Sequence, residues 1–406
     1  MGRAARQEGA APSVACAGRP YRVGLMVERT RAWGRHVCEG VASAAQQYGW
    51  ELQMFNPGDR LRAGELKRCD GFIALVTDRP AAQVLEESGR PVVDVYNGRL
   101  STAFDVVDSD NIAIAQLAAR HFITRRFTQF AYCGFDGVCF SDGRRDAFVR
   151  TLRHNRFACD CYEAPPHALR RFGEVVIRNE RLAPGSDGRQ LAAWVQRLPK
   201  PVAVFCSHDL RAWQLLNVCR AAGLDVPHDV AILGVDDDAL VCAFTVPMLS
   251  SIDPDAFEVG RNAAQALAAR FADPGRERIE MRVKPKGVTV RASTEVYPLD
   301  PPWLSDALVF IRRHVARRTT AADVFAYLGR SHTVVETAFR EVLKTTVQKE
   351  IMRARIDEAR RLLATTSMPV AEIAVRAGFS RVQYLCNSFA TAVGCSPTEY
   401  RLRPQS

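Results

Sequence analysis

Arginines and aspartates at the ends of apolar runs are the residues here whose types invite chemistry, and that chemistry is recognition rather than reaction. Arg144 stands in Ser141-Asp-Gly-Arg-Arg-Asp-Ala-Phe148, Asp209 in Ser207-His-Asp209, Asp236 in Ile232-Leu-Gly-Val-Asp-Asp237 and Asp110 in Asp108-Ser-Asp-Asn111. Guanidinium and carboxylate groups are planar and hydrogen-bond two vicinal hydroxyls at once, while an aromatic face covers the C–H side of a ring. Trp33 and Phe140 are the aromatic candidates. Structural alternatives stand beside these readings: Arg144 as an exposed arginine at a helix start, Asp209 as a helix cap, Asp236 as a cap or turn acid, Trp33 as core.

Reaction chemistry finds no such footing. The sequence has no G-x-S-x-G elbow, no G-x-x-x-x-G-K-[ST] phosphate loop and no H-E-x-x-H pair. Its 8 histidines are dispersed, with no two at metal-ligand spacing. The 12 cysteines form no C-x-x-C clusters, and Cys159-x-Cys161 is too tight a pair for zinc. Cys133, Cys206 and Cys219 sit in apolar stretches as small hydrophobes, a usage that fits a reducing compartment. No enzyme activity, metal or cofactor is expected.

The elements that would position the candidates alternate. Arg22–Val27, Glu51–Phe55, Gly71–Val76, Pro91–Val95, Gln129–Cys133, Pro201–Cys206 and Val230–Val235 read as strands. Trp33–Tyr48, Pro80–Ser88, Asn111–Thr124, Arg144–Arg153 and Leu210–Ala222 read as helices between them. Apolar runs buried on both faces and separated by helices make parallel sheets with crossover helices. The region is too long for one such sheet, so two doubly wound α/β lobes are expected over 20–294. Ligands of open sheets bind beyond the strand ends, where the candidates fall. Residues 1–19 read as a disordered tail without the apolar core of a secretory signal. No run reaches the ~18 apolar residues of a membrane span, and a cytoplasmic protein is expected.

Tyr297-Pro-Leu-Asp-Pro-Pro302 breaks the rhythm, because prolines remove donors and force their predecessors to extended backbone. A linker over 295–303 is expected to precede an all-helical domain over 304–406. From 301 to 406 there are 16 Lys+Arg against 9 Asp+Glu, most of the net charge of +10; such a surplus suits a phosphate backbone. Two segments 49 residues apart match there, Asp323-Val-Phe-Ala-Tyr-Leu-Gly-Arg-Ser331 and Glu372-Ile-Ala-Val-Arg-Ala-Gly-Phe-Ser380. Each has an acid at the helix start, apolar residues at helical spacing, Gly for a left-handed cap and Ser to cap the next helix. That makes a helix-turn-helix, twice. The second helices fall over about 331–343 and 380–392, with a long basic helix over 347–363 between them.

The last hundred or so residues resemble the AraC-type DNA-binding domain. The resemblance rests on Val370-Ala-Glu-Ile-Ala-Val-Arg-Ala-Gly-Phe-Ser380, Gln383-Tyr384, Phe389, Gly394 and Ser396-Pro-Thr-Glu-Tyr-Arg401. It implies two recognition helices in successive major grooves. Outward side chains near each helix start would meet bases: His332, Thr333 and Thr337 in the first, Arg381, Gln383 and Asn387 in the second. Arg and Gln take guanine and adenine edges in bidentate fashion. Arg340 and the linking-helix arginines, Arg355 among them, suit phosphates, which position without specifying. Val335, Phe339 and Phe389 belong to the core. The sequence departs from the family in three places. Lys344 stands where Gly usually follows the first recognition helix, Arg330 replaces an apolar turn residue, and Ala390 and Thr391 replace basic residues.

Residues from Tyr21 to Thr294 resemble the sugar-binding module shared by LacI-type repressors and periplasmic sugar-binding proteins. Ser207-His-Asp209, Gly223-Leu-Asp-Val-Pro227, Ile232-Leu-Gly-Val-Asp-Asp237, Leu249-Ser-Ser-Ile252 and Asp108-Ser-Asp-Asn111 carry it. By that resemblance Arg144 matches the arginine that grips hydroxyls, and Asp209 and Asp236 match two strand-end acids. LacI-type repressors carry their DNA reader first; here it comes last. Together the resemblances imply a transcription regulator. A monosaccharide effector, D-xylose or a related aldose, closes the lobes and reorients the DNA-binding domains of a homodimer on double-stranded operator DNA. RNA polymerase is the implied protein partner and activation the sign, with no membrane involved. A regulator of another sugar's operon, or one whose first domain only dimerises, is the alternative.

Overall fold

The computed structural model describes residues 19–55, 66–164 and 186–402; apart from Arg19, the tail expected over 1–19 lies outside them. The first lobe opens with β1 (Arg22–Met26), α1 (Ala32–Tyr48), β2 (Glu51–Met54), β3 (Gly71–Ala74), α2 (Arg79–Glu87), β4 (Val92–Asp94) and β5 (Asp105–Ser109). The chain then crosses to the second lobe. There it builds α3 (Asn111–Thr124), β6 (Phe130–Phe135), α4 (Cys139–His154), β7 (Asp160–Ala164), α5 (Ser186–Arg197), β8 (Val202–Cys206), α6 (Asp209–Ala221), β9 (Val230–Val235), α7 (Ala239–Phe244) and β10 (Ser250–Asp253). It returns to the first lobe for α8 (Ala256–Ala272) and β11 (Glu280–Val283), and crosses once more to β12 (Gly287–Thr289).

Two six-stranded sheets result, ordered β11-β5-β4-β3-β1-β2 and β12-β10-β9-β8-β6-β7. Every pairing is parallel except β12 with β10. The expected pair of parallel lobes is therefore present, with one antiparallel edge strand. β3, β8 and β9 are buried at every position, as strands covered by helices on both faces must be. In the first lobe α1 and α8 touch backbone to backbone. A Cβ on Gly40 would lie 2.0 Å from the Phe257 carbonyl oxygen, and one on Gly260 2.0 Å from that of Val37, so only glycine permits this approach.

The C-terminal domain contains α9 (Trp303–Arg313), α10 (Ala321–Leu328), α11 (His332–Val342), α12 (Val347–Thr365), α13 (Val370–Arg376), α14 (Val382–Val393) and α15 (Pro397–Leu402). Thr320 and Asp323 form a reciprocal capping box at α10, Gly329 ends that helix at φ 59°, and the Ser331 side chain caps α11. α12 serves both units: Val347, Ile351 and Ala354 enter the first core, while Ile356, Ala359, Leu362 and Leu363 enter the second. Val335, Phe339 and Phe389 are fully buried, as expected.

One expectation needs correction. α14 begins after Arg381, which has no side-chain cap, so Ser380 does not play the part of Ser331. The inward residues Val335 and Phe339 correspond to Leu385 and Phe389; the second turn therefore holds one residue more than the first. The proline-rich segment packs against both domains. Val296 is buried in the second lobe's core and Tyr297 in the helical domain's, and the Tyr297 N–H donates to Ser305 Oγ at 2.8 Å.

Candidate functional site

A cleft of about 560 Å3, open mouth included, lies between the lobes. Glu28, Arg31, Trp33 and Asp108 line it from the first lobe; Phe140, Arg144, His208 and Asp236 line it from the second. Arg144 comes from the first turns of α4 and is buried. Its Nε donates to Asn111 Oδ1 at 2.9 Å, its Nη1 to the Ser207 carbonyl, and its guanidinium sits 5.1 Å from the Phe140 ring centroid. Two nitrogens are thus fixed by the second lobe, and Nη2 has no protein partner among the described residues. Trp33 is anchored by its Nε1–H to Ser109 Oγ at 3.1 Å, which leaves an indole on the cleft wall.

Asp236 follows β9 on a backbone at φ 111°. That lies beyond the small left-handed region open to aspartate. Its carboxylate has no hydrogen-bond partner among the described residues. Burial pushes its pKa above the usual carboxylate value, against the opposing charges of Arg144, His208 and Arg31. An unbonded acid at such a φ, lining a cleft beside three cationic or polar neighbours, is a candidate ligand-binding group.

Two candidates go elsewhere. Asp209 does not line the cleft. It is buried beneath the wall, accepting from Ser251 Oγ at 2.5 Å and the Asp238 N–H at 2.8 Å, and it lies too close to Gly234 for any side chain there. Burial and then the Asp236 charge hold its pKa well above the usual range. It shapes the Asp236–Asp238 turn instead. Asp110 caps α3, accepting from the Ala113 N–H at 2.9 Å. The next residue, Asn111, lines the cleft in its place. Asp108 was missed by the sequence reading; it lies one residue before the end of β5, pairs with Arg282 at 3.2 Å, and burial pushes its pKa up to about 7. Only β11, arriving from far along the chain, brings Arg282 to it.

α3 joins this cleft to the helical domain. Asn111, bonded to Arg144, is its first residue. Further along, about 15 and 21 Å away at 1.5 Å per residue, His121 Nε2 meets Thr294 Oγ1 at 3.0 Å and Arg125 Nε donates to the Thr294 carbonyl at 3.1 Å. Just beyond, Arg126 Nη2 donates to the Leu343 carbonyl at 3.4 Å, where the first recognition helix ends.

On the helical domain, His332, Thr333, Thr337 and Arg340 are exposed on α11. Arg381, Gln383 and Asn387 are exposed at and along α14. Thr333 and Thr337 correspond in position to Gln383 and Asn387, while Arg381 takes the cap position of Ser331. Arg355 is corrected: its Nη2 donates to the Thr319 carbonyl at 3.0 Å, and its Nε lies 3.3 Å from where a Cβ on Gly378 would be. It ties the two units together and is not a free phosphate ligand. Arg330 lies over the Trp303 ring at 4.9 Å, its aliphatic stem and flat head doing what an apolar turn residue would.

A two-lobed cleft domain followed by a doubled helix-turn-helix domain defines a DNA-binding transcription regulator with a periplasmic-binding-protein-type first domain. The periplasmic binding protein-like domain family matches residues 119–294, and a helix-turn-helix domain family matches residues 324–403. The chain is homologous to the xylose operon regulatory proteins. That of Haemophilus influenzae is 25% identical over 396 residues, covering 94% of this chain and 98% of its own. That of Escherichia coli K12 is 27% identical over 391 residues, covering 94% and 97%. A solved xylose-binding transcription activator aligns with a TM-score of 0.58 at 25% identity, over 95% of this chain and 98% of that one. A ribose-bound LacI family regulator from Enterococcus faecium, at 21% identity and TM-score 0.56, covers 69% of this chain and all of its own, and shares the fold of the first domain. The relatives are regulators, not enzymes. Among the described residues no helix is long and apolar enough to cross a membrane.

Proposed function

We propose that the chain is a cytoplasmic, sugar-responsive activator of a pentose utilisation operon, with D-xylose or a close aldose as effector. The cleft carries this reading: a free guanidinium nitrogen on Arg144 and an unbonded carboxylate on Asp236 face one space, between Trp33 and Phe140. A donor and an acceptor beside aromatic faces are what a neutral polyhydroxylated ring needs. The xylose-binding activator that aligns end to end points to the pentose.

Domains over 20–294 and 304–406, joined by 295–303, serve as sensor and reader. The sugar joins the lobes, α3 carries the change from Asn111 to Arg126, and the reader shifts against operator DNA. An exposed apolar patch on the second lobe, with Phe244 75% and Val246 74% exposed beside Leu240 and Met248, supports a homodimer, since monomers rarely leave such patches open. RNA polymerase is the partner of the activating step.

Calorimetric titration of the full chain with D-xylose, D-ribose, L-arabinose and D-glucose tests the effector. Repeating it with operator DNA tests coupling, because the factor by which sugar tightens DNA must equal that by which DNA tightens sugar. Binding of no monosaccharide refutes the sensor; binding that operator leaves unchanged refutes the signalling.

A further inference from the structure

The two reading helices have the same buried skeleton and opposite surfaces. α14, Val382–Val393, contains no charged residue. Its outward face offers Val382 and Tyr384, 39% and 46% exposed, beside Gln383 and Asn387. α11 carries Glu336, Arg340 and Glu341, with exposed Arg340 and Lys344 at its end. The cations around the second unit are largely engaged within the protein. Arg376 pairs with Glu372 at 3.1 Å, and Arg401 Nη2 donates to the Met368 carbonyl at 2.5 Å. Arg381 sits in the turn before the helix rather than on its face.

Resting on the regulator reading above, we propose that the two units divide the work: the first anchors on phosphates, and α14 reads an A·T-rich subsite of the operator. Guanine is recognised in the major groove by Arg or Lys, and cytosine by a carboxylate; the face of α14 has neither. Adenine is recognised by an amide that donates to N7 and accepts from the N6 amino group, and thymine by apolar contact with its methyl. Gln383 Nε2 donates to Asn387 Oδ1 at 3.0 Å. The bonded pair keeps Gln383 Oε1 as an acceptor and N–H groups of both amides as donors, a set that can match adenine's edge. Val382 and Tyr384 flank it as partners for thymine methyls.

The test selects duplexes bound by the full chain from a random pool, then repeats the selection with Gln383→Ala and Asn387→Ala. Both side chains are exposed, so folding is not at stake. The expected result is an A·T-rich subsite in which each variant loses preference at one base pair, by about 5- to 150-fold. Replacing thymine by deoxyuridine in that subsite removes only the methyls, and should weaken binding about fourfold at each contacted position. Arg340→Ala and Lys344→Ala should lower affinity for all sequences alike and flatten its salt dependence, which the α14 variants should not do. A G·C-rich subsite, unchanged base preference in both amide variants, or indifference to deoxyuridine overturns the proposal while leaving a DNA-binding regulator. Failure to select any duplex overturns the regulator reading itself.

Discussion

Replacing Asp236 by glycine should make the protein more stable and weaken its hold on the sugar. Asp236 is held at φ 111°, where a residue with a Cβ stores about 1–3 kcal/mol of strain. Glycine releases that strain and costs about 0.4–1 kcal/mol through the freer unfolded chain. The lost carboxylate does not reverse the balance. Burial outweighs Arg144, His208 and Arg31 and lifts its pKa, so its charge is no net support to the fold. A net gain of about 1 kcal/mol raises the sensor's melting temperature by roughly 2–4 °C. The same change removes the acceptor for sugar hydroxyls, at a cost of about 1–3 kcal/mol, and so weakens binding about 5- to 150-fold. Asp236→Ala is the control: it deletes the carboxylate and keeps the strain, so it should lose sugar without the gain in melting temperature. Scanning calorimetry without sugar and titration calorimetry with D-xylose read the two effects separately. A glycine variant that melts below the wild type, or binds sugar as well, refutes the reasoning.

Three further outcomes are expected. Arg126→Ala, which breaks the contact to the Leu343 carbonyl, should leave sugar affinity unchanged while sugar alters operator affinity less than in the wild type; an unaltered response in paired titrations would show that α3 is not the route. Lys344 holds φ 54° at an exposed helix end, so Lys344→Gly should stabilise the reader by about 1 kcal/mol in chemical denaturation, and a loss would mean the cap is unstrained. For Asp108, burial raises the folded pKa to about 7 from an ordinary 3.8. The unfolded chain then releases its proton first, so the contribution of Asp108 to stability falls as pH rises from about 4 to 7 and is level above that. Asp108→Asn should therefore gain in melting temperature relative to the wild type across that window, and a pH-independent difference between the two would contradict the shift.

Much of this protein was legible in its residues, for physical reasons that can be named. Apolar runs such as Val230–Val235, buried on both sides, announce parallel strands at any level of reading. The first helix-turn-helix needs only local chemistry, left-handed backbone at Gly329 and a capping hydroxyl at Ser331. Arg144 and Asp236 could be placed in a cleft because strand ends converge there. Tertiary structure decided the rest. Asp209 and Asp236 look alike in sequence, both acids just past a strand. Packing sends one under the wall to Ser251 and the Asp238 N–H, and leaves the other facing the cleft. β11, Glu-Met-Arg-Val with its first two residues exposed, carries little sign of a strand. It exists because the first sheet has an open edge at β5, and its arrival sets Arg282 beside Asp108. Arg355 has the type and surroundings of a phosphate ligand, yet a carbonyl of the neighbouring unit takes it. Residue type and spacing determine which groups are able to bond; which partner each one meets is settled only when distant segments close around it.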